Sequence, residues 1–291
     1  MPKINIPASQ AAPETNLFIE VVRKDCSEQL DQWEREVLFL IPGGPGGNHT
    51  LYAQIKDELL KYGDLVIVDL RGCGLSDSCD VDFCSLDQHI HDLETLREKL
   101  NIEKPVIHGC SYGALVALGH AVSYPDSLSK LILTSGAASF EFIEKAKQNL
   151  TQRGSAKQIE MGNLVWNGSF ESPEQFGEYY KTLAPLYIFT HDPNEIPLTV
   201  KSSIPHNMEL TNRAFTTYLK TFDYRQELEK VKVPTLIFSG QNDWIMDPSE
   251  AVILSKGIAD SELVIIDKCG HFPWKDKKDA FFKALSRFMR T

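Results

Sequence analysis

The sequence lacks the features that are typical of membrane proteins, secreted proteins and nucleic-acid-binding proteins. It has no uninterrupted apolar stretch long enough to span a membrane, and residues 1–7 carry no apolar segment typical of a signal peptide. Basic residues are outnumbered, since 30 lysines and arginines against 40 acids give a formal net charge of −10. A chain of this charge is not expected to bind nucleic acid. We therefore expect a cytoplasmic protein with neither a membrane nor a nucleic-acid partner.

The patterns that bind metals and nucleotides are also missing. No H-E-x-x-H and no paired C-x-x-C occurs. The glycine-rich residues 43–47 are not followed by Gly-Lys-Ser/Thr, as a phosphate-binding loop would be. Gly72 and Gly74 lack the third glycine of a dinucleotide-binding motif, because position 77 is Asp77. The sequence therefore predicts no metal and no other cofactor.

Cysteine is too sparse to supply a disulfide framework. A chain of 291 residues can bury a large core and does not need cross-links. We expect free thiols in a reducing compartment at all six positions, which are Cys26, Cys73, Cys79, Cys84, Cys110 and Cys269.

The chain does contain a regular alternation of apolar runs and helical segments. The predicted strands are residues 17–22, 37–41, 65–69, 106–108, 131–134, 235–239 and 263–266. Several are continuous runs of Val, Ile and Leu, which is typical of a parallel sheet buried on both faces. Residues 85–100 and 279–289 have the periodicity of amphipathic helices. The second is expected to dock on the sheet through Phe282, Leu285 and either Phe288 or Met289. This order predicts an α/β fold with a mostly parallel central sheet and helices on both faces.

The alternation stops between residues 137 and 230. That stretch is rich in aromatic residues, helical in pattern and interrupted by prolines. We interpret it as an inserted helical cap between two parts of an α/β core, residues 1–136 and 231–291. Strand-like runs resume at Thr235, which argues against an independent C-terminal domain. Such a cap is expected to close over the carboxyl edge of the sheet, where ligands bind in α/β folds.

Residues 109–113 form the strongest motif in the sequence. They spell Gly-Cys-Ser-Tyr-Gly, a G-x-S-x-G pattern between a predicted strand and a predicted helix. In that context the serine lies on a tight turn that exposes its hydroxyl above the sheet. Small residues must flank it so that the strand and helix can approach, and here they are Gly109 and Gly113. We predict that Ser111 is a catalytic nucleophile.

A serine nucleophile needs a base to accept its proton and an acid to hold that base. Asp243 and His271 each follow a predicted strand after Ser111, in the chain order Ser, Asp, His. Asp247 is a competing acid, Asp243 could instead cap a turn, and His271 could be a loop histidine. We predict that Ser111, His271 and Asp243 form the triad.

Charge that develops on the substrate oxygen requires hydrogen-bond donors. One candidate is the backbone N–H of Tyr112, directly after the nucleophile. The second is expected from the glycine-rich residues 43–47, where the backbone can approach the substrate closely. We favour the N–H of Gly44.

With these residues identified, the chain resembles an α/β hydrolase of the proline iminopeptidase family of serine peptidases. The resemblance covers nearly the whole chain and depends on three motifs. Residues 43–47, Gly-Gly-Pro-Gly-Gly, match the family's G-G-P-G loop, residues 69–76 are similar to its D-x-R-G-x-G-x-S segment, and the third motif surrounds Ser111. The resemblance implies the same triad and oxyanion residues, with Asp69 and Arg71 holding a strand-end loop.

The chain departs from the family in places that bear on specificity. Pro42 stands where the family has a histidine. Family members recognise the free amine of the substrate with glutamates in the cap, whereas residues 212–215 here read Asn-Arg-Ala-Phe. Glu209, three residues upstream of that stretch, is the candidate substitute, and Gly43 is a second candidate for contact with the substrate.

The leading functional hypothesis is an aminopeptidase that releases an N-terminal residue, proline by family resemblance, from small peptides. The alternative within enzymes is a carboxylesterase or amidase for small uncharged substrates. The third hypothesis is a non-catalytic ligand-binding protein with the same fold. In each case the expected partner is a small molecule or a short peptide.

Overall fold

One sheet of eight strands organises the part of the chain that the computed structural model describes, residues 2–24 and 29–290. The strands are β1 (Lys3–Ile6), β2 (Thr15–Val22), β3 (Val37–Ile41), β4 (Asp64–Val68), β5 (Val106–Cys110), β6 (Lys130–Thr134), β7 (Thr235–Gly240) and β8 (Ser261–Ile266). Their order across the sheet is β1-β2-β4-β3-β5-β6-β7-β8. Strand β2 pairs antiparallel with both β1 and β4, and the remaining pairs are parallel. The predicted α/β fold class with a mostly parallel sheet is confirmed.

Alternate side chains of the strands face two separate layers of the core. All positions of β3, β4, β5 and β7 are buried, and most of their residues are apolar, as expected for a parallel sheet covered on both faces. In β3, Phe39 packs with the helices on one side of the sheet, whereas Leu38 and Leu40 pack on the other.

Helices cover both faces. They are α1 (Lys56–Leu59), α2 (Leu86–Lys99), α3 (Tyr112–Ser123), α4 (Phe142–Arg153), α5 (Ala156–Asn167), α6 (Pro173–Tyr187), α7 (Leu198–Lys201), α8 (Met208–Thr216), α9 (Pro248–Gly257), α10 (Pro273–Asp276) and α11 (Lys278–Phe288). Helices α2 and α3 lie in the Phe39 layer, while α10 and α11 lie in the opposite one. Of the residues predicted to dock α11, Leu285 and Phe288 are buried as expected, whereas Phe282 is only partly buried and its neighbour Phe281 is fully buried.

Helices α4 to α8 all belong to the segment between β6 and β7. The two ends of this segment meet, since Ser139 and Asp223 form an isolated antiparallel bridge and Tyr224 N–H donates to Ala138 O at 2.8 Å. The segment therefore leaves the sheet and returns to it at one place. The division into two core parts and a cap at residues 137–230 stays a prediction.

Among residues 2–24 and 29–290, no helix combines the length and the apolar character needed to cross a lipid bilayer. The five cysteines that the structure describes carry free thiols, and Cys26 lies outside the described residues.

Candidate active site

Ser111 lies on the turn that joins β5 to α3. Its backbone has φ 55° and ψ −122°, a conformation that costs a non-glycine residue about 1–3 kcal/mol. Two glycines make the turn possible. A Cβ on Gly109 would lie 2.1 Å from the carbonyl oxygen of Gly113, and one on Gly113 would lie 2.1 Å from that of Ile41. The strained backbone leaves the hydroxyl in the wall of a cavity.

His271 follows β8 and is oriented by Asp243, which follows β7. Its Nδ1 lies 2.7 Å from Oδ2 of Asp243, and both side chains are buried. The other oxygen, Oδ1, accepts backbone N–H groups from Ile245 at 3.0 Å and Met246 at 3.1 Å. Because an ionised carboxylate can only accept, Nδ1 carries the proton, which leaves Nε2 free to take one.

Backbone contacts fix the position of His271. Its N–H donates to the carbonyl oxygen of Tyr187 at 2.7 Å, and its own carbonyl accepts from Ser135 Oγ at 2.8 Å. The imidazole also packs edge-on against the Tyr187 ring, with the centroids 5.4 Å apart. His271 and Ser111 line the same cavity.

The competing acid has a different role. Asp247 Oδ1 accepts from the N–H and hydroxyl of Ser249, which caps the start of α9, and Oδ2 accepts from Asn149 Nδ2 at 2.9 Å. The structure thus pairs the imidazole of His271 with Asp243 and uses Asp247 to hold neighbouring elements.

The two predicted oxyanion residues also line the cavity, together with Gly43. Tyr112 is the first residue of α3, so its N–H has no acceptor within the helix, and the positive end of the helix dipole lies there. Gly43 lies against Ser111, since a Cβ built on it would be 2.9 Å from Ser111 Cβ. Gly44 has φ +70°, a conformation that glycine adopts without strain.

Buried ionic groups support the loop after β4, as the family resemblance implied. The carboxylate of Asp69 accepts the backbone N–H groups of His49 at 2.6 Å and Leu75 at 2.8 Å. Arg71 donates twice to Asp92, at 2.7 and 2.9 Å, and both side chains are fully buried. This loop is held by the protein and does not enter the cavity lining.

The cavity has a volume of about 160 Å³ and an aromatic wall. The rings that line it belong to Tyr112, Phe142, Phe176, Tyr179, Tyr180, Tyr187, Phe215, Phe272 and Trp274. Among its described lining residues, Lys275 is the only lysine, arginine, aspartate or glutamate. Lys275 Nζ lies 2.6 Å from a carboxylate oxygen of Glu195. Within the described ranges, no cluster of three or more His, Cys, Asp or Glu side chains is arranged to hold a metal ion.

Glu209 is not brought to the site. It lies in the first turn of α8 with an exposed side chain and is not among the cavity-lining residues, whereas Thr211 and Phe215 of the same helix are. Tyr187 and His206 also line the wall, and the sequence did not predict either of them. Neither stands in a motif, so no local signal could have identified them.

The chain is similar to known proteins in both sequence and fold. The sequence matches the alpha/beta hydrolase fold family over residues 36–278. It is 29% identical to proline iminopeptidase PfmaB of Pestalotiopsis fici over 86% of this chain and 90% of that protein. It is also 29% identical to the proline iminopeptidase of Saccharolobus solfataricus, over 87% and 84% of the two chains. The resemblance predicted from the loop and nucleophile motifs is confirmed.

A solved structure of a thermophilic esterase from Thermogutta terrifontis has a similar fold. It superposes with a TM-score of 0.76 at 24% identity, covering 100% of this chain and 98% of that one. At this identity the likeness concerns the fold alone.

Proposed function

We propose that this chain, which belongs to the α/β hydrolase family, is a serine hydrolase whose nucleophile is Ser111. The observation that carries the proposal is the common cavity of Ser111 and His271, with Asp243 holding the imidazole at 2.7 Å. His271 Nε2 takes the hydroxyl proton as Ser111 Oγ attacks the substrate carbonyl, and returns it to the leaving group. Water, deprotonated by the same nitrogen, then releases the acid from the acyl-enzyme.

The carbonyl oxygen becomes negative in each tetrahedral intermediate. We assign the backbone N–H groups of Tyr112 and Gly44 as the donors that stabilise it. A single donor of this kind contributes roughly 10²–10³ in rate. The helix N-terminus at Tyr112 adds a favourable field.

The lining of the cavity favours a neutral ester or amide with an apolar acyl group as the substrate. Its wall is aromatic, and no carboxylate lies among its described lining residues to pair with an ammonium group. Lys275, the one charged side chain among those described lining residues, is already paired with Glu195. Burying an unpaired ammonium group is unfavourable, so this cavity is expected to bind a substrate with a free amine less well than a neutral one.

Release of an N-terminal residue, with proline as the first choice, is the second candidate. It is favoured by the similarity to two curated proline iminopeptidases and by the shared glycine-rich loop. For this candidate a carboxylate would have to reach the cavity from outside its present lining.

A comparison of three substrates separates the two candidates. They are a prolyl arylamide with a free amine, its N-acetylated form and a short-chain aryl ester. The proposal expects turnover of the ester and no preference for the free amine. Turnover of the free prolyl arylamide alone would instead establish the aminopeptidase.

Ser111→Ala tests the nucleophile itself. We expect this variant to fold as the wild type does and to lose turnover by at least about 10³-fold. A fluorophosphonate probe should label the wild-type protein at Ser111, because the hydroxyl displaces fluoride from phosphorus. A wild-type protein that is neither labelled nor active would favour the non-catalytic ligand-binding alternative.

A further inference from the structure

The glycine-rich loop, residues 43–47, is anchored by the segment between β6 and β7. The carbonyl oxygen of Pro45 lies 2.8 Å from His206 Nε2 and accepts from Thr211 Oγ1 at 2.6 Å. The next carbonyl, of Gly46, accepts the backbone N–H of Asn207 at 2.9 Å. Two consecutive carbonyls of the loop are therefore bonded to residues 206–211, which are more than 150 positions away in the chain.

The loop also fits closely in shape against residues 206–211, which we call the anchor. A Cβ on Gly44 would lie 2.5 Å from the His206 ring, and one on Gly46 would lie 2.2 Å from the carbonyl oxygen of Asn207. Both glycines have positive φ, +70° and +93°. The loop thus keeps its conformation and its contact with His206 only while these positions remain glycine.

The anchor is itself rigidly attached to the core. Asn207 caps α8, since its Oδ1 accepts the N–H of Leu210 at 3.0 Å, and its Nδ2 donates to Gly72 O at 2.8 Å. The His206 ring packs against Phe176, with the centroids 4.8 Å apart. These contacts leave His206 little freedom relative to the loop that it holds.

The protonation state of His206 determines the direction of its hydrogen bond. Desolvation by the surrounding protein lowers the pKa of His206 to about 4, so the ring is neutral near pH 7. A carbonyl oxygen can only accept, and Nε2 therefore carries the hydrogen and donates to Pro45. Pro42, directly before the loop, has neither an N–H nor a side-chain donor, so it cannot donate a hydrogen bond to hold the loop.

We propose that His206 is a positioning residue that holds the glycine-rich loop, so that the N–H of Gly44 can donate to the substrate oxygen on which negative charge develops. This inference rests on the proposed serine hydrolase function. Donors stabilise an oxyanion only at about 2.7–3.1 Å, and a loop with four glycines would otherwise sample many conformations. Because the donor is needed in the transition state, its misplacement should lower kcat more than it changes KM.

The test compares two substitutions of the same residue. His206→Phe keeps an aromatic ring against Phe176 and Gly44 but removes the donor, whereas His206→Gln supplies an amide N–H at the position of Nε2. We expect His206→Phe to lower kcat by about 10- to 100-fold with KM within about threefold, and His206→Gln to recover most of that loss. Thr211→Val, which removes the second donor to the same carbonyl, should lower kcat in the same direction even if His206→Phe fails to fold.

Labelling by a fluorophosphonate separates this inference from the proposed function. Both His206→Phe and Thr211→Val should react more slowly than the wild type, with melting temperatures close to its own. If wild-type and His206→Phe proteins were labelled at equal rates, or if the Phe and Gln variants lost kcat equally, His206 would not be a positioning residue. If Ser111→Ala were still labelled at the wild-type rate, the proposed function itself would fail.

Discussion

At the scale of single residues, the site depends on which acid holds the imidazole of His271. Asp243 and Asp247 are four positions apart, and their surroundings differ sharply. Asp243 is fully buried and gives one oxygen to the imidazole and the other to two backbone N–H groups. Asp247 gives both oxygens to groups away from His271.

Asp243→Asn should therefore impair catalysis, and Asp247→Asn serves as its matched control. An amide at position 243 can donate to Nδ1 and would stabilise the tautomer that has its proton on Nε2, which cannot act as the base. We expect kcat to fall by about 10³–10⁴-fold for Asp243→Asn and by less than about threefold for Asp247→Asn. Steady-state kinetics on the best ester substrate measures both, and equal effects of the two substitutions would contradict the assignment.

At the scale of elements, the turn between β5 and α3 brings the end of β3, the end of β5 and the start of α3 into contact. Gly113, in the first turn of α3, lies directly against the end of β3 at Ile41. The helix can begin beside the sheet only because no side chain separates the two. The same contact brings Gly43, which follows β3, against Ser111.

Gly113→Ala tests this contact, with Gly177→Ala as a control in another helix. The new methyl at position 113 would meet backbone oxygen at 2.1 Å, whereas at position 177 the closest neighbour is a Val200 methyl at 4.0 Å. We expect Gly113→Ala to lower the free energy of unfolding by about 2 kcal/mol or more. Gly177→Ala should raise it by up to about 1 kcal/mol. Urea unfolding measures both, and a neutral Gly113→Ala would show that the contact is not needed.

At the scale of the whole molecule, stability should depend on pH through Glu250. This residue of α9 is buried, and its Oε2 has no hydrogen-bond partner among the described residues. Desolvation, followed by the nearby Asp247 and Glu141, raises the pKa of Glu250 from 4.5 to about 7, while Arg225 and Lys145 act in the opposite direction. The folded state thus retains a proton that the unfolded state releases at lower pH.

The direction of the effect follows from that shift. The contribution of Glu250 to stability is constant below about pH 4.5 and decreases as the pH rises towards 7, because ionisation is easier in the unfolded chain. The total loss is about 1–3 kcal/mol. Glu250→Gln cannot ionise, so its melting temperature should differ less between pH 5 and pH 8 than that of the wild type. Substitution of the exposed Glu160 by Gln is the control, and an unchanged pH difference in Glu250→Gln would refute the prediction.

Much of the architecture was predictable because it depends on local patterns. Short apolar runs, several of them continuous because both sheet faces are buried, identified seven of the eight strands formed by the described residues. The short strand β1 was missed, because Lys3 and Asn5 interrupt its apolar pattern and its pairing with β2 comes from tertiary structure. The one-residue error at Phe281 has a similar cause, since neighbouring helix positions differ by only 100° and packing chooses between them.

The sequence alone determined the fold class, the nucleophile motif and the two residues predicted to complete the triad. These depend on short-range patterns and on the rule that the carboxyl ends of parallel strands share one edge. Only the tertiary structure decided which side chains line the cavity, where Glu209 is absent and Tyr187 and Lys275 are present. It alone also brought His206 to Pro45, because contacts between residues so far apart in the chain arise from packing and leave no pattern in the sequence.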